Sequence, residues 1–151
     1  MSMKKRNQGF SLVELLIVIT IIAIIGGLLM PSLIRYIAKA RRSQDVQYSK
    51  EIRDAFEYTM AETTYEIGSP QQTLIINSST RLNNPATTVA DAAFAKLGGI
   101  PVPNTDSDYY WYIVYDPTQG SVSEIKLTTG PGATPIHELY PDSTTFINLD
   151  D

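Results

Sequence analysis

The chain has 151 residues, with 12 Lys and Arg against 16 Asp and Glu, a formal net charge of −4. That is about one domain's length. It holds no cysteine and a single histidine, His137, which excludes a disulfide framework, a thiol nucleophile and a multi-histidine metal centre. The acidic balance argues against a nucleic-acid binder that works through a basic surface.

The apolar residues are concentrated near the start. Residues 15–30, LLIVITIIAIIGGLLM, carry no charge, and residues 10–34 carry only Glu14. As a helix, residues 10–34 would extend about 37 Å, enough for a bilayer core of roughly 30 Å. A chain this small cannot surround a helix that is apolar on every face. Lys4, Lys5 and Arg6 precede the segment and favour a cytoplasmic N-terminus with the remainder exported. Arg35, Lys39, Arg41 and Arg42 on the far side weaken that asymmetry. The apolar run is longer than that of a secretory signal peptide, and the small residue, Gly9, stands before it.

The stretch KKRNQGFSLVELLIVITIIAIIGGLLMP resembles the class III signal of bacterial type IV prepilins and pseudopilins. The resemblance implies a cut between Gly9 and Phe10 by a membrane aspartyl peptidase, which then N-methylates Phe10. It also implies that the apolar helix stays attached and enters a filament core. Glycine suits the cut because it has no Cβ to obstruct a crowded site. A carboxylate in a membrane helix is costly and marks function by default. Glu14 lies four residues after Phe10, a spacing that puts the two on one helix face. In the family this glutamate is thought to pair with the Phe amine of a neighbouring subunit. An ordinary anchor with an interfacial Glu is the competing reading. Gly26, Gly27 and Pro31 form the weakest part of the helix, and in type IV pili the matching stretch often melts. A small-residue packing face is the alternative there.

Ile34, Ile37 and Ala38, then Tyr48, Ile52, Ala55 and Phe56, recur at helical spacing and continue the helix past Pro31. The predicted parts are therefore a cleaved leader at 1–9, a membrane or filament-core helix at 10–34, an amphipathic half at 35–66 and a head at 67–151. Within the head, Thr73–Asn77 reads as a strand, residues 78–87 as a polar turn region, and Val89–Leu97 as a helix ended by Gly98-Gly99. Residues 109–115, YYWYIVY, form the strongest strand. Asp116 to Gly120 is a turn, and residues 122–129 return as a strand with Ile125 and Leu127 on one face and Glu124 and Lys126 on the other. Thr144–Leu149 reads as a final strand. The sum is α+β: one long helix, about residues 10–66, packed on a small antiparallel sheet. It agrees with the pilin fold that the resemblance implies.

Other candidates carry less. Asn104, Asp106 and Asp108 alternate like calcium ligands, but Tyr109 and Tyr115 stand where an EF-hand needs Gly and Glu. A solvated turn is the simpler reading, so no metal site is assigned. Tyr109, Tyr110, Trp111, Tyr112 and Tyr115 alternate faces on a strand and cannot form one stack. His137 reads as a surface loop residue, and Asn77-Ser78-Ser79 as a chance glycosylation sequon. No catalytic motif, phosphate loop, cofactor site or direct nucleic-acid site is recognised, and no enzyme activity is expected.

Three functions follow for comparison. One is a main type IV pilin polymerised into a helical surface filament for adhesion, twitching motility or DNA uptake. Its partners would be further copies, the prepilin peptidase and N-methyltransferase, membrane lipid before assembly, and an inner-membrane platform with its ATPase. It would begin in the cytoplasmic membrane and end as an extracellular filament. The second is a pseudopilin of a type II secretion or competence system. The third is a membrane-anchored binding or enzymatic domain.

Overall fold

The computed structural model describes residues 10–62, 71–79 and 88–149. The chain divides into two compact units, Met1–Ile37 and Ala38–Asp151. Helix α1, Leu12–Glu62, contributes to both. The expected helix end near Glu66, most of the turn region at 78–87 and the leader at 1–9 lie outside the described residues.

In the first unit α1 is apolar around its circumference. Ile17, Ile22, Leu28 and Ile34 are all at least half exposed. By length and composition it is apolar enough to cross a membrane. It runs through Gly26, Gly27 and Pro31 without interruption. Pro31 has no N–H to give to the Gly27 carbonyl one turn back, so one bond of the main-chain ladder is missing there although the helix continues.

The second unit is built on a four-stranded antiparallel sheet in the order β1-β2-β3-β4. The strands are β1 (Gln72–Ile76), β2 (Tyr110–Asp116), β3 (Ser121–Thr128) and β4 (His137–Tyr140). Helix α2, Thr88–Lys96, lies between β1 and β2 in the chain, and a short α3, Thr144–Ile147, follows β4. The α1 residues from Ala38 onward pack on this sheet. Val46, Ile52, Phe56 and Met60 recur at helical spacing and are buried. Phe56 meets Phe94 edge-on at 5.5 Å and Tyr115 at 5.2 Å, which joins both helices to the sheet. Burying one such ring contributes about 1.5–3 kcal/mol.

The aromatic strand behaves as alternation requires. Trp111 and Ile113 are fully buried, while Tyr110 and Tyr112 are half-buried on the other face. The indole of Trp111 donates to the Pro101 carbonyl at 2.7 Å. Strict alternation fails at one place. Val114 and Tyr115 are both buried because the β2–β3 register shifts between them. The same bulge puts Val122 in the core with Ile125 and Leu127.

Two expectations are corrected. Thr144–Leu149 is not a strand. Thr144–Ile147 is a helical turn that buries Phe146. It starts where the Asp142 carboxylate accepts the Thr144 N–H at 2.9 Å. The fourth strand is instead His137–Tyr140, paired with β3 through Leu127↔His137 and Lys126↔Glu138. His137 is therefore a half-buried strand residue, not a surface loop residue.

Candidate processing and assembly site

Helix α1 starts with a reciprocal cap. Ser11 Oγ accepts the Val13 N–H at 3.3 Å, and Glu14 Oε2 accepts the Ser11 N–H at 3.0 Å. The first main-chain helical bond runs from the Leu15 N–H to the Ser11 carbonyl at 3.2 Å. This is close to a capping box, with Ser and Glu three residues apart, except that Ser11 takes the N–H of the second rather than the third helical residue. Phe10 stands before the cap and is 87% exposed. It lies outside the helix, so the one-face argument for Phe10 and Glu14 does not apply in this conformation. The spacing Ser11-x-x-Glu14 was the available sequence signal for the cap, overshadowed by the charge of Glu14. Gly9 lies outside the described residues.

Chemically, Glu14 offers a carboxylate at the helix start, beside a main chain whose cleavage after Gly9 would create an ammonium at Phe10. The helix N-terminus itself favours a negative group there. Downstream, Thr20 and Ser32 return their hydroxyls to main-chain carbonyls, Leu16 at 2.7 Å and Leu29 at 2.9 Å. Their polarity is thereby satisfied within the helix, as an apolar surrounding requires. A Cβ added at Gly26 or Gly27 would meet nothing within 4 Å. This face is open to a neighbour.

The remaining candidates resolve into structural roles. Asp45 on α1 is fully buried and accepts the Asn104 N–H at 2.6 Å, the Asn104 Nδ2 at 3.2 Å and the Thr105 N–H at 2.8 Å. Asn104 thus ties the loop before β2 to α1, while Asp106 accepts the Asp108 N–H at 2.9 Å in a local turn. No cluster of three or more His, Asp or Glu able to hold a metal occurs among the described residues. Asn77 Oδ1 accepts the Ser79 N–H at 3.1 Å just after β1. Asp45 is the residue that sequence reasoning missed. A lone acid at helical spacing among Arg42, Val46, Ser49 and Ile52 reads as a solvated position, and only the loop's N–H groups explain its burial.

The described C-terminal segment is held on α1 by polar contacts. Arg42 Nη2 donates to the Leu149 carbonyl at 2.8 Å, and Lys39 Nζ donates to Asn148 Oδ1 at 3.4 Å.

Residues 4–30 match the family described as the prokaryotic N-terminal methylation motif. This is the class III prepilin signal of type IV pilins and pseudopilins, and the chain carries it. The signal supports a type IV pilin or pseudopilin, implies processing by a prepilin peptidase and suggests membrane anchoring before assembly. Proteins of the pilin type are structural rather than enzymatic. No curated protein and no solved structure matches the chain.

Proposed function

We propose that the chain is the precursor of a type IV pilin. It is cut after Gly9, N-methylated at Phe10, held in the cytoplasmic membrane by residues 10–34 and polymerised into a helical surface filament. The observation that carries this reading is the methylation motif at 4–30 leading directly into a helix that is apolar on all sides. Water is a poor solvent for such a helix. Lipid before assembly and neighbouring copies afterwards are the two environments that cover it. Glu14 is the charge partner for the Phe10 amine of a neighbouring subunit, and Gly26, Gly27 and Pro31 mark where the helix yields within the filament. The work of assembly comes from an inner-membrane platform and its ATPase. The filament serves adhesion, twitching motility or DNA uptake.

Intact mass of the cellular protein, together with shearing of surface filaments, tests the proposal. The expected product starts at a methylated Phe10 and is abundant in the sheared fraction. Uncut chain in cells with an active prepilin peptidase would overturn the reading and favour a plain membrane anchor. A processed chain retained in the membrane fraction would identify a pseudopilin of a secretion or competence system.

A further inference from the structure

We propose that His137 is the acid-sensitive catch of a C-terminal clasp, whose protonation releases residues 144–149 from α1. The clasp has three parts. Phe146 on α3 is buried. Arg42 on α1, itself buried, donates to the Leu149 carbonyl, and Lys39 donates to Asn148. His137 on β4 lies among them. Its ring centre is 4.8 Å from that of Phe146 and 6.1 Å from that of Tyr109. It lines an open cavity with Ile136, Glu138, Asp142, Thr145 and Leu149, so water and protons reach it.

Burial and then the Arg42 guanidinium favour a neutral imidazole here, against the pull of Glu138 and Asp142. The ring packs against Phe146 on one side. Protonation would put a second cation near the Arg42 guanidinium, which is shielded from solvent and therefore poorly screened. The groups facing His137 have mixed signs. On α1 they are Arg42 and, bound to the tail, Lys39. On β4 and the turn after it are Glu138 and Asp142, and immediately before β2 is Tyr109. On β3, Lys126 is paired with Glu124 at 3.0 Å and lies beside Glu138 in register. Both carboxylates of the cavity are exposed, and Asp142 is already bonded to Thr144. Burial and then Arg42 lower the His137 pKa from the ordinary value, which is about 6.5. With the clasp open, His137 binds the proton more readily than with it closed. Closure is complete above that ordinary value and weakens as pH falls through it towards the lower, closed-state value.

The absence of cysteine makes the test clean. Thr145→Cys in the full chain in detergent micelles takes one nitroxide label on an exposed α3 position. Between about pH 7.5 and about pH 5, the mobile fraction of the label should rise at least about threefold. The single tryptophan, buried Trp111, should keep its emission, because the sheet stays folded. His137→Gln and His137→Phe should each flatten the response, the Phe variant keeping a ring against Phe146. A label equally immobile at both pH values would overturn the proposal. So would a pH response that survives in both variants, or one that moves Trp111 emission in step with the label.

Discussion

Glu14 holds its oxygen where two different donors can claim it. In the described conformation it accepts the Ser11 N–H and helps close the first turn. Under the proposed cut at Gly9, the Phe10 ammonium of a neighbouring subunit would be a second claimant. The two roles separate by substitution. Glu14→Gln keeps an oxygen for Ser11 and removes the charge, whereas Glu14→Ala removes both, at a capping cost of about 1 kcal/mol. Both variants should be processed, as intact mass would show, and both should fail to enter sheared filaments. Normal filaments from the Gln variant would assign Glu14 to the cap alone. Gly9→Val should act earlier, leaving the unprocessed mass, because a β-branched side chain obstructs the site of cutting. In the head, Asp45→Ala removes the acceptor of three N–H bonds and leaves the half-buried Asn104 and Thr105 donors without it. A loss of about 3 kcal/mol is expected. Urea unfolding of the full chain in detergent, followed by Trp111 emission, measures it.

Elements differ in how plainly their residues announce them. Helix α2 ends in a complete Schellman arrangement. Gly99 N–H donates to the Phe94 carbonyl at 2.9 Å and Gly98 N–H to the Ala95 carbonyl at 3.2 Å. Gly98 has φ 77°, and a Cβ there would touch nothing within 4 Å. Gly98→Ala should therefore cost only the left-handed backbone penalty, about 1–2 kcal/mol, read as a lower urea midpoint. That ending was legible because a glycine pair follows an apolar periodic run. The aromatic strand β2 was legible for the same kind of reason, a continuous β-favouring run. The end of the sheet was not. His137–Tyr140 has four residues, too few to establish alternation, and apolar Phe146 and Ile147 read as strand residues where Phe146 reaches the core from a helical turn. The bulge beside Val114 left no compositional trace. The N-terminal site was readable through its motif, while the cap within it needed geometry.

At the scale of the whole molecule, charge and apolarity are separated along the chain. Without residues 1–9 there are 142 residues with 9 basic and 16 acidic side chains, a formal side-chain charge of −7. From Tyr58 onward there are 3 basic and 11 acidic residues, a charge of −8. An apolar stretch whose one charge is Glu14, a mixed-charge second half of α1 and an acidic head follow one another along the chain. The head has no covalent cross-link between cysteines. Its C-terminal segment is secured by Phe146 and the Arg42 guanidinium, which ties the closure of the head to the same helix that carries the anchor.

The strand order has a bearing on synthesis. Each strand of the β1-β2-β3-β4 sheet pairs with the next one to be made. A chain delivered from its N-terminal end presents every new strand to a partner already available. No strand need be held open for insertion between two others, and the exposed edge of the growing sheet advances one strand at a time. The short β2–β3 and β3–β4 connections keep loop closure inexpensive, while β1 and β2 are joined across α2. This shortens the interval in which half-made sheets can pair with one another.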